Sequence, residues 1–234
     1  MVTFISIADA KPKKEISVKV KVISDVRFTS RDILKCRVGD ESAIAEIIAW
    51  GNEKERMKFK KGDVIEVVNV VVSEKSPLFI FTKKTEVKVI NAADIPDEKI
   101  YATKFIDEIP AFGYVFIEGF VSRNFGIYDY YCRRCRKFSE EVCSCGNFSE
   151  KIFRISGIFS DSTSDILWTT NDERVAEKIT NRKAEELKAK RTKNKGLENE
   201  KEHWKEIIKK LMNHNHKFFG YGSDKKFIVV DAEC

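Results

Sequence analysis

The segment EISVKVKVI, residues 15–23, places apolar side chains at alternate positions, the pattern of a strand with one buried face. SAIAEIIAW and DVIEVVNVVV are richer apolar runs, and TEVKVI alternates again at the end of the block. VGDES and KKGD supply turn signals between the runs. NEKERMKFKKG, between SAIAEIIAW and DVIEVVNVVV, has room for one short helix ended by Gly62. Residues 14–89 therefore read as three strands, a short helix and two strands.

That order fits a five-stranded OB barrel, whose second and third strands and two flexible loops commonly hold single strands or oligosaccharides. An SH3-like small barrel is the alternative. From Gly113 onward the pattern partly repeats, with YVFIEGFVSRNF, FRISGIF and DILW as strand candidates. AWGNEKER (49–56) matches LWTTNDER (167–174), each a Trp leading from a strand toward a charged helix start, so a repeated OB unit is the economical explanation. HKFFGYG and KKFIVVDAE supply the fourth and fifth strands of the second barrel. Before them lies a helical insertion from Asn171 to about Asn213, broken near Gly196. Asn171 and Asp172 offer N-capping oxygens, and Trp204, Ile207, Ile208 and Leu211 share a helical face. The expected class is mainly β: an N-terminal OB fold over 1–92, a linker over 93–112 and a C-terminal OB fold over 113–234.

Composition adds limits. The 234 residues are 42% hydrophobic, ordinary for folded domains, and no apolar run is long enough to cross a bilayer. The N-terminus MVTFISIADAKPKK lacks the order of a secretion signal, so a cytoplasmic protein with reduced thiols is expected. The net charge of +6 is modest because the charged 34% of residues is nearly balanced. Its basic excess falls in KPKK, KFKKG, RRCRK and the stretch from Arg182 to Lys195, any of which is also consistent with a solvated surface.

Four of the six cysteines cluster mid-chain. Cys132 and Cys135 form a CxxC, and Cys143 and Cys145 form a CxC followed by Gly146, which can turn the backbone sharply. Each pair can close a tight loop with both sulfurs on one ion, and four thiolates suit tetrahedral zinc. A closed cysteine set is structural, since hydrolysis needs an open coordination position. It stands in for a core in a lobe of about 125–150 that is too small to have one. Redox thiols and an iron–sulfur cluster are the alternatives.

An OB pattern containing AWGNEKERMKFKKGDVIEVVN, a linker NAADIPDEKI, and a second barrel with a cysteine ribbon between its first two strands resembles the large subunit of replication protein A, the archaeal single-stranded-DNA-binding relatives in particular. The resemblance covers most of residues 5–175 and rests on Trp50–Gly51, Gly62–Asp63 and the nested cysteines. It implies binding of single-stranded DNA without chemistry, in replication, repair or recombination, with structural zinc and with other subunits or repair proteins as partners. If the chain is archaeal, it implies association with the nucleoid.

By the family pattern Trp50 is a base-stacking residue, although a core Trp beneath the helix fits its spacing alone. The second family stacker belongs in SEKSPLF, where Lys75 stands instead of an aromatic. Phe79 and Phe81 point to one face, either groove or core. Further contact candidates in the first barrel are Phe28, Arg31, Lys35 and Arg37. In the second they are Phe125, Tyr128, Arg133, Arg134, Arg136 and Trp168, the repeat partner of Trp50. The arginines also suit a structural role, because a tetrathiolate zinc centre attracts cations. Competing classes are an RNA-binding OB and zinc-ribbon module, an acyl-carrier-type OB protein of metabolism, or a subunit that docks proteins. A nuclease or hydrolase is disfavoured: no phosphate loop, carboxylate cluster or nucleophile with a base partner stands out.

Overall fold

The computed structural model describes residues 2–29, 33–90, 95–139, 142–183, 207–209, 211–212, 214–223 and 225–233. It divides into two compact units, Met1–Lys104 with Glu108–Phe116, and Phe105–Asp107 with Ile117–Cys234.

The first unit contains β1 (Glu15–Val22), β2 (Arg27–Phe28), β3 (Leu34–Gly39), β4 (Ile44–Ala49), β5 (Val64–Val72), β6 (Leu78–Ile80), β7 (Glu86–Val89) and a short helix α1 (Asp97–Ile100). The strand order is β1-β3-β4-β6-β5, and β5 pairs back with β1 to close the barrel. β4 and β6 run parallel while the other pairs of this ring are antiparallel, which is the OB ladder. The fifth strand comes in two pieces: β6 and β7 both pair with β5, and residues 81–85 bend out between them. The alternation seen in sequence is borne out, since Val18, Val20 and Val22 point inward and are fully buried.

The expected helix after β4 is a 3-10 turn over Gly51–Arg56, ending well before Gly62. Gly62 instead sits at φ +96° in the turn before β5, a conformation that favours glycine. Arg56, in the last part of the 3-10 turn, donates to the Thr82 and Lys83 carbonyls and so fastens the bend between β6 and β7.

Residues after the first barrel also pack onto it. Ile100, Phe112 and Tyr114 are buried. Phe112 stacks on Phe79 with ring centroids 5.5 Å apart. Tyr114 exchanges two backbone hydrogen bonds with Ile44, and Lys21 reaches the Ile95 carbonyl and the Asp97 carboxylate.

β8 (Thr103–Lys104) belongs to the first unit, and the second contains most of β9 (Val115–Cys132) with β10 (Lys137–Ser139), β11 (Glu150–Ser160), β12 (Asp165–Thr170), α2 (Glu173–Thr180), β13 (Asn215–Ser223) and β14 (Lys226–Glu233). The second unit's order β9-β11-β12-β14-β13, closed by β9–β13, reproduces the first ladder, including a parallel β12–β14 pair. Both barrels are therefore OB folds. α2 starts at Asp172, whose carboxylate accepts from the Arg174 N–H, and stops at Asn181 in the left-handed region. Its buried face is Val175, Ala176, Ile179 and Thr180, packed toward β14. Ile207 and Leu211 are buried as the shared-face reading expects, whereas Trp204 and the basic run beyond Lys183 lie outside the described residues. No helix among the described residues is long and apolar enough to cross a membrane.

Candidate metal centre and nucleic-acid interface

β9 and β11 run past the second barrel and carry the cysteine lobe between them. β10 folds back on the end of β9, pairing Lys137 with Cys132, so Cys132 and Cys135 flank a tight turn. Arg136, directly after Cys135, adopts φ +53°, and Gly146, directly after Cys145, adopts φ +82°. Each cysteine pair thus ends in the same left-handed step, which a glycine takes without strain and an arginine only at some cost. In the second turn the Gly146 N–H donates to the Cys143 carbonyl at 2.7 Å and the Cys143 N–H to the Asn147 carbonyl at 2.9 Å.

These turns bring all four sulfurs within 4.8 Å of one another. Cys132 and Cys145 Sγ are 3.6 Å apart, and Cys143 and Cys135 Sγ 3.8 Å, without disulfide bonds. A tetrahedron with metal–sulfur bonds of about 2.3 Å has edges of about 3.8 Å, so the set fits one four-coordinate ion. Hydrogen bonding also favours thiolates: the Cys145 backbone N–H pulls Cys143 down to about 6, and the Asn147 N–H lowers Cys145. Cys135 is pushed up to about 12 by its hydrogen bonds to Cys145 and Cys143.

Outward-facing side chains of each barrel's second and third strands form its open face. In the first barrel one rung reads Arg37–Glu46–Leu78 and the next Lys35–Ile48–Ile80. Lys35 and Arg37 are not bare cations: Glu46 lies 2.7 Å from Lys35 Nζ and 3.8 Å from Arg37 Nε. At the end of this face Phe28 and Trp50 are 67% and 45% exposed, and Lys54 Nζ stands 5.7 Å from the Phe28 ring centroid. Lys54 was not legible as a contact residue, because only the 3-10 turn carries it back over β2. Lys75 is exposed in the β5–β6 loop, as its place in sequence anticipated. Arg31 lies outside the described residues.

Three expected contacts fall elsewhere. Phe79, Phe81 and Trp168 are at most 1% exposed. Phe79 and Phe81 alternate with Ile80, and it is their side of the strand that faces the barrel interior. Trp168 faces inward on β12, with its ring 5.1 Å from that of Phe218.

On the second barrel's open face, Arg123, Ile158 and Leu167 form one rung. Phe125 is 53% exposed with the Arg123 guanidinium 5.3 Å from its ring centroid, a cation–π pair that sequence spacing did not single out. Arg154 donates to Thr169 Oγ1 on the same sheet. The Tyr128 side chain lies outside the described set. In the lobe, Arg133 makes a two-point ion pair with Glu150 at 2.6 and 3.0 Å, while Arg134 and Arg136 are exposed.

No family model and no curated protein matches the chain. Solved structures do. Fission yeast Pot1 with ssDNA matches at 13% identity and TM-score 0.34 over 40% of this chain, which spans only 41% of that one. A replication protein A heterotrimer bound to ssDNA matches at 12% identity and TM-score 0.36, over 99% of this chain and 69% of that one. A murine DNA-binding protein bound with ds DNA matches at 11% identity and TM-score 0.41, over 91% and 89%. The OB assignment rests on the two strand ladders themselves.

Proposed function

We propose that this protein binds single-stranded DNA without catalysis, in replication, repair or recombination, and that its four-cysteine lobe holds a structural zinc ion. The observation that carries the reading is the exposed aromatic–cation pair on each barrel's open face: Phe28 with Lys54 beside Trp50, and Phe125 with Arg123. Unpaired bases offer π faces that a duplex hides, so exposed rings favour single strands, while nearby cations attract phosphates. Each base–aromatic stack contributes about 1–3 kcal/mol and is nearly blind to sequence.

Zinc suits an all-thiolate tetrahedral set. Cys132, Cys135, Cys143 and Cys145 would hold it, supplying the lobe with the stability that its few buried side chains do not. The cytoplasm, or the nucleoid of an archaeal cell, suits such thiols and such a ligand. Other replication protein A-like subunits are the partner class the sequence resemblance favours.

Fluorescence anisotropy of a labelled oligo-dT of about thirty nucleotides, competed with duplex and with oligo-U over a salt series, tests the reading. Tight, salt-sensitive binding that duplex fails to displace is expected. Preferential displacement by oligo-U would move the assignment to RNA. Absence of binding at low salt would refute nucleic-acid binding and favour a protein-docking role.

A further inference from the structure

The metal lobe exposes an aromatic that the fold does not use. Phe148 is 82% exposed, the most exposed large hydrophobic side chain among the described residues. It pairs by an isolated bridge with Val142, itself 50% exposed, across the turn that bears Cys143 and Cys145. Phe148 borders a shallow cleft of about 490 Å³ together with Arg133, Arg134, Asn147 and Glu150.

The charges around the cleft are not equivalent. Glu150 is engaged on both oxygens by Arg133, so the carboxylate at the rim is largely neutralised. Arg134 is exposed and has no carboxylate partner among the described residues. An exposed ring beside an available guanidinium matches a nucleotide: the ring takes a base, and the guanidinium takes its phosphate. An uncharged apolar partner would leave Arg134 unused, so charge complementarity favours the anionic ligand.

We propose that the cleft beside Phe148 is a nucleotide subsite separate from the open faces of the barrels, in which Phe148 stacks on one unpaired base and Arg134 holds the adjoining phosphate. The proposal rests on the single-strand reading above and extends it to the lobe. The metal's part is architectural, because the turn it closes is the one that presents Phe148. Sequence spacing pointed to the arginines as contacts and passed over Phe148, since CGNFSE reads as an ordinary turn.

The test compares full-length wild type, Phe148→Ala, Phe148→Leu and Arg134→Gln by anisotropy. The ligands are an oligo-dT of about thirty nucleotides and an abasic oligomer of the same length. Metal content is measured alongside. Both Phe148 variants are expected to bind oligo-dT about 5- to 150-fold more weakly, the equivalent of one stack, and the abasic oligomer as wild type does. Arg134→Gln should weaken both ligands and reduce the salt slope by about one. Phe148→Leu keeps the apolar bulk, so it decides the matter if Phe148→Ala loses metal. Wild-type affinity in Phe148→Leu, or an equal loss on both oligomers, overturns the subsite while leaving the barrels' role intact. Failure of wild type to bind either oligomer overturns the single-strand reading and the subsite with it.

Discussion

Trp168 of the second barrel stands where Ile47 stands in the first. Trp168 lies opposite Phe227 in the parallel β12–β14 pair, as Ile47 lies opposite Phe79 in β4–β6. Across the other edge Trp168 faces Gly157, and Ile47 faces Cys36. The glycine makes room for the indole: a Cβ at Gly157 would lie 2.8 Å from Trp168 Nε1 and 2.1 Å from the Arg123 carbonyl oxygen. Trp50, three residues beyond Ile47, is therefore matched by Asn171, and the alignment of the two tryptophans is out of register by three.

The two tryptophans should behave oppositely. Trp168→Ala empties a core position and is expected to lower stability by about 3–5 kcal/mol in urea unfolding. Trp50→Ala is expected to leave the unfolding midpoint nearly unchanged and to weaken oligo-dT binding by about 1–3 kcal/mol. A large stability loss at Trp50 would place its indole in the core.

Metal removal should act locally. Chelation is expected to unfold the lobe around residues 132–148 and to leave the first barrel's amide protection intact, as read by hydrogen exchange. Cys143→Ser should mimic it, because it removes a ligand. Loss of protection throughout the first unit would contradict the division into two units.

The segment after the first barrel should count toward that barrel's stability. A fragment ending at 116 keeps the Phe112–Phe79 stack and the Tyr114–Ile44 hydrogen bonds, whereas one ending at 92 loses them together with Ile100. Burial of Phe112 alone accounts for about 1.5–3 kcal/mol, so the longer fragment is expected to have a clearly higher denaturation midpoint. Equal midpoints would make residues 97–116 a tether rather than part of the barrel.

Stability of the second barrel should fall as pH drops below about 6.5, the ordinary histidine value. Burial holds His216 below that value, with Nε2 2.8 Å from the Leu211 carbonyl and the ring stacked on Phe218. The unfolded chain therefore takes up the proton first, and stability is lost from about 6.5 down to the depressed folded value. His216→Gln should flatten this slope between about pH 5 and 7, above the range where carboxylates titrate. An unchanged slope would assign the effect to other groups.

Much of the molecule was legible in local pattern. Alternation in EISVKVKVI, turn signals at VGDES and the capping carboxylate of Asp172 are short-range matters of backbone geometry and side-chain period, and the strands and α2 formed accordingly. The C-x-x-C and C-x-C spacings likewise bring sulfurs into local turns, so a four-cysteine cluster able to hold one ion was readable before any tertiary contact. Which face of a strand is inside, and how far along it a barrel's rung falls, depends instead on pairing between distant strands. Two equally spaced phenylalanines, Phe79 and Phe81, went to the core because β6 is hydrogen-bonded between β4 and β5 with that side inward. Trp168 became a core residue because Gly157 lies across from it, and Glu46 met Lys35 and Arg37 only through the β3–β4 register. Composition and spacing determined that the chain would make β-barrels and a four-sulfur lobe. Long-range register decided which aromatics were buried and which remained in water.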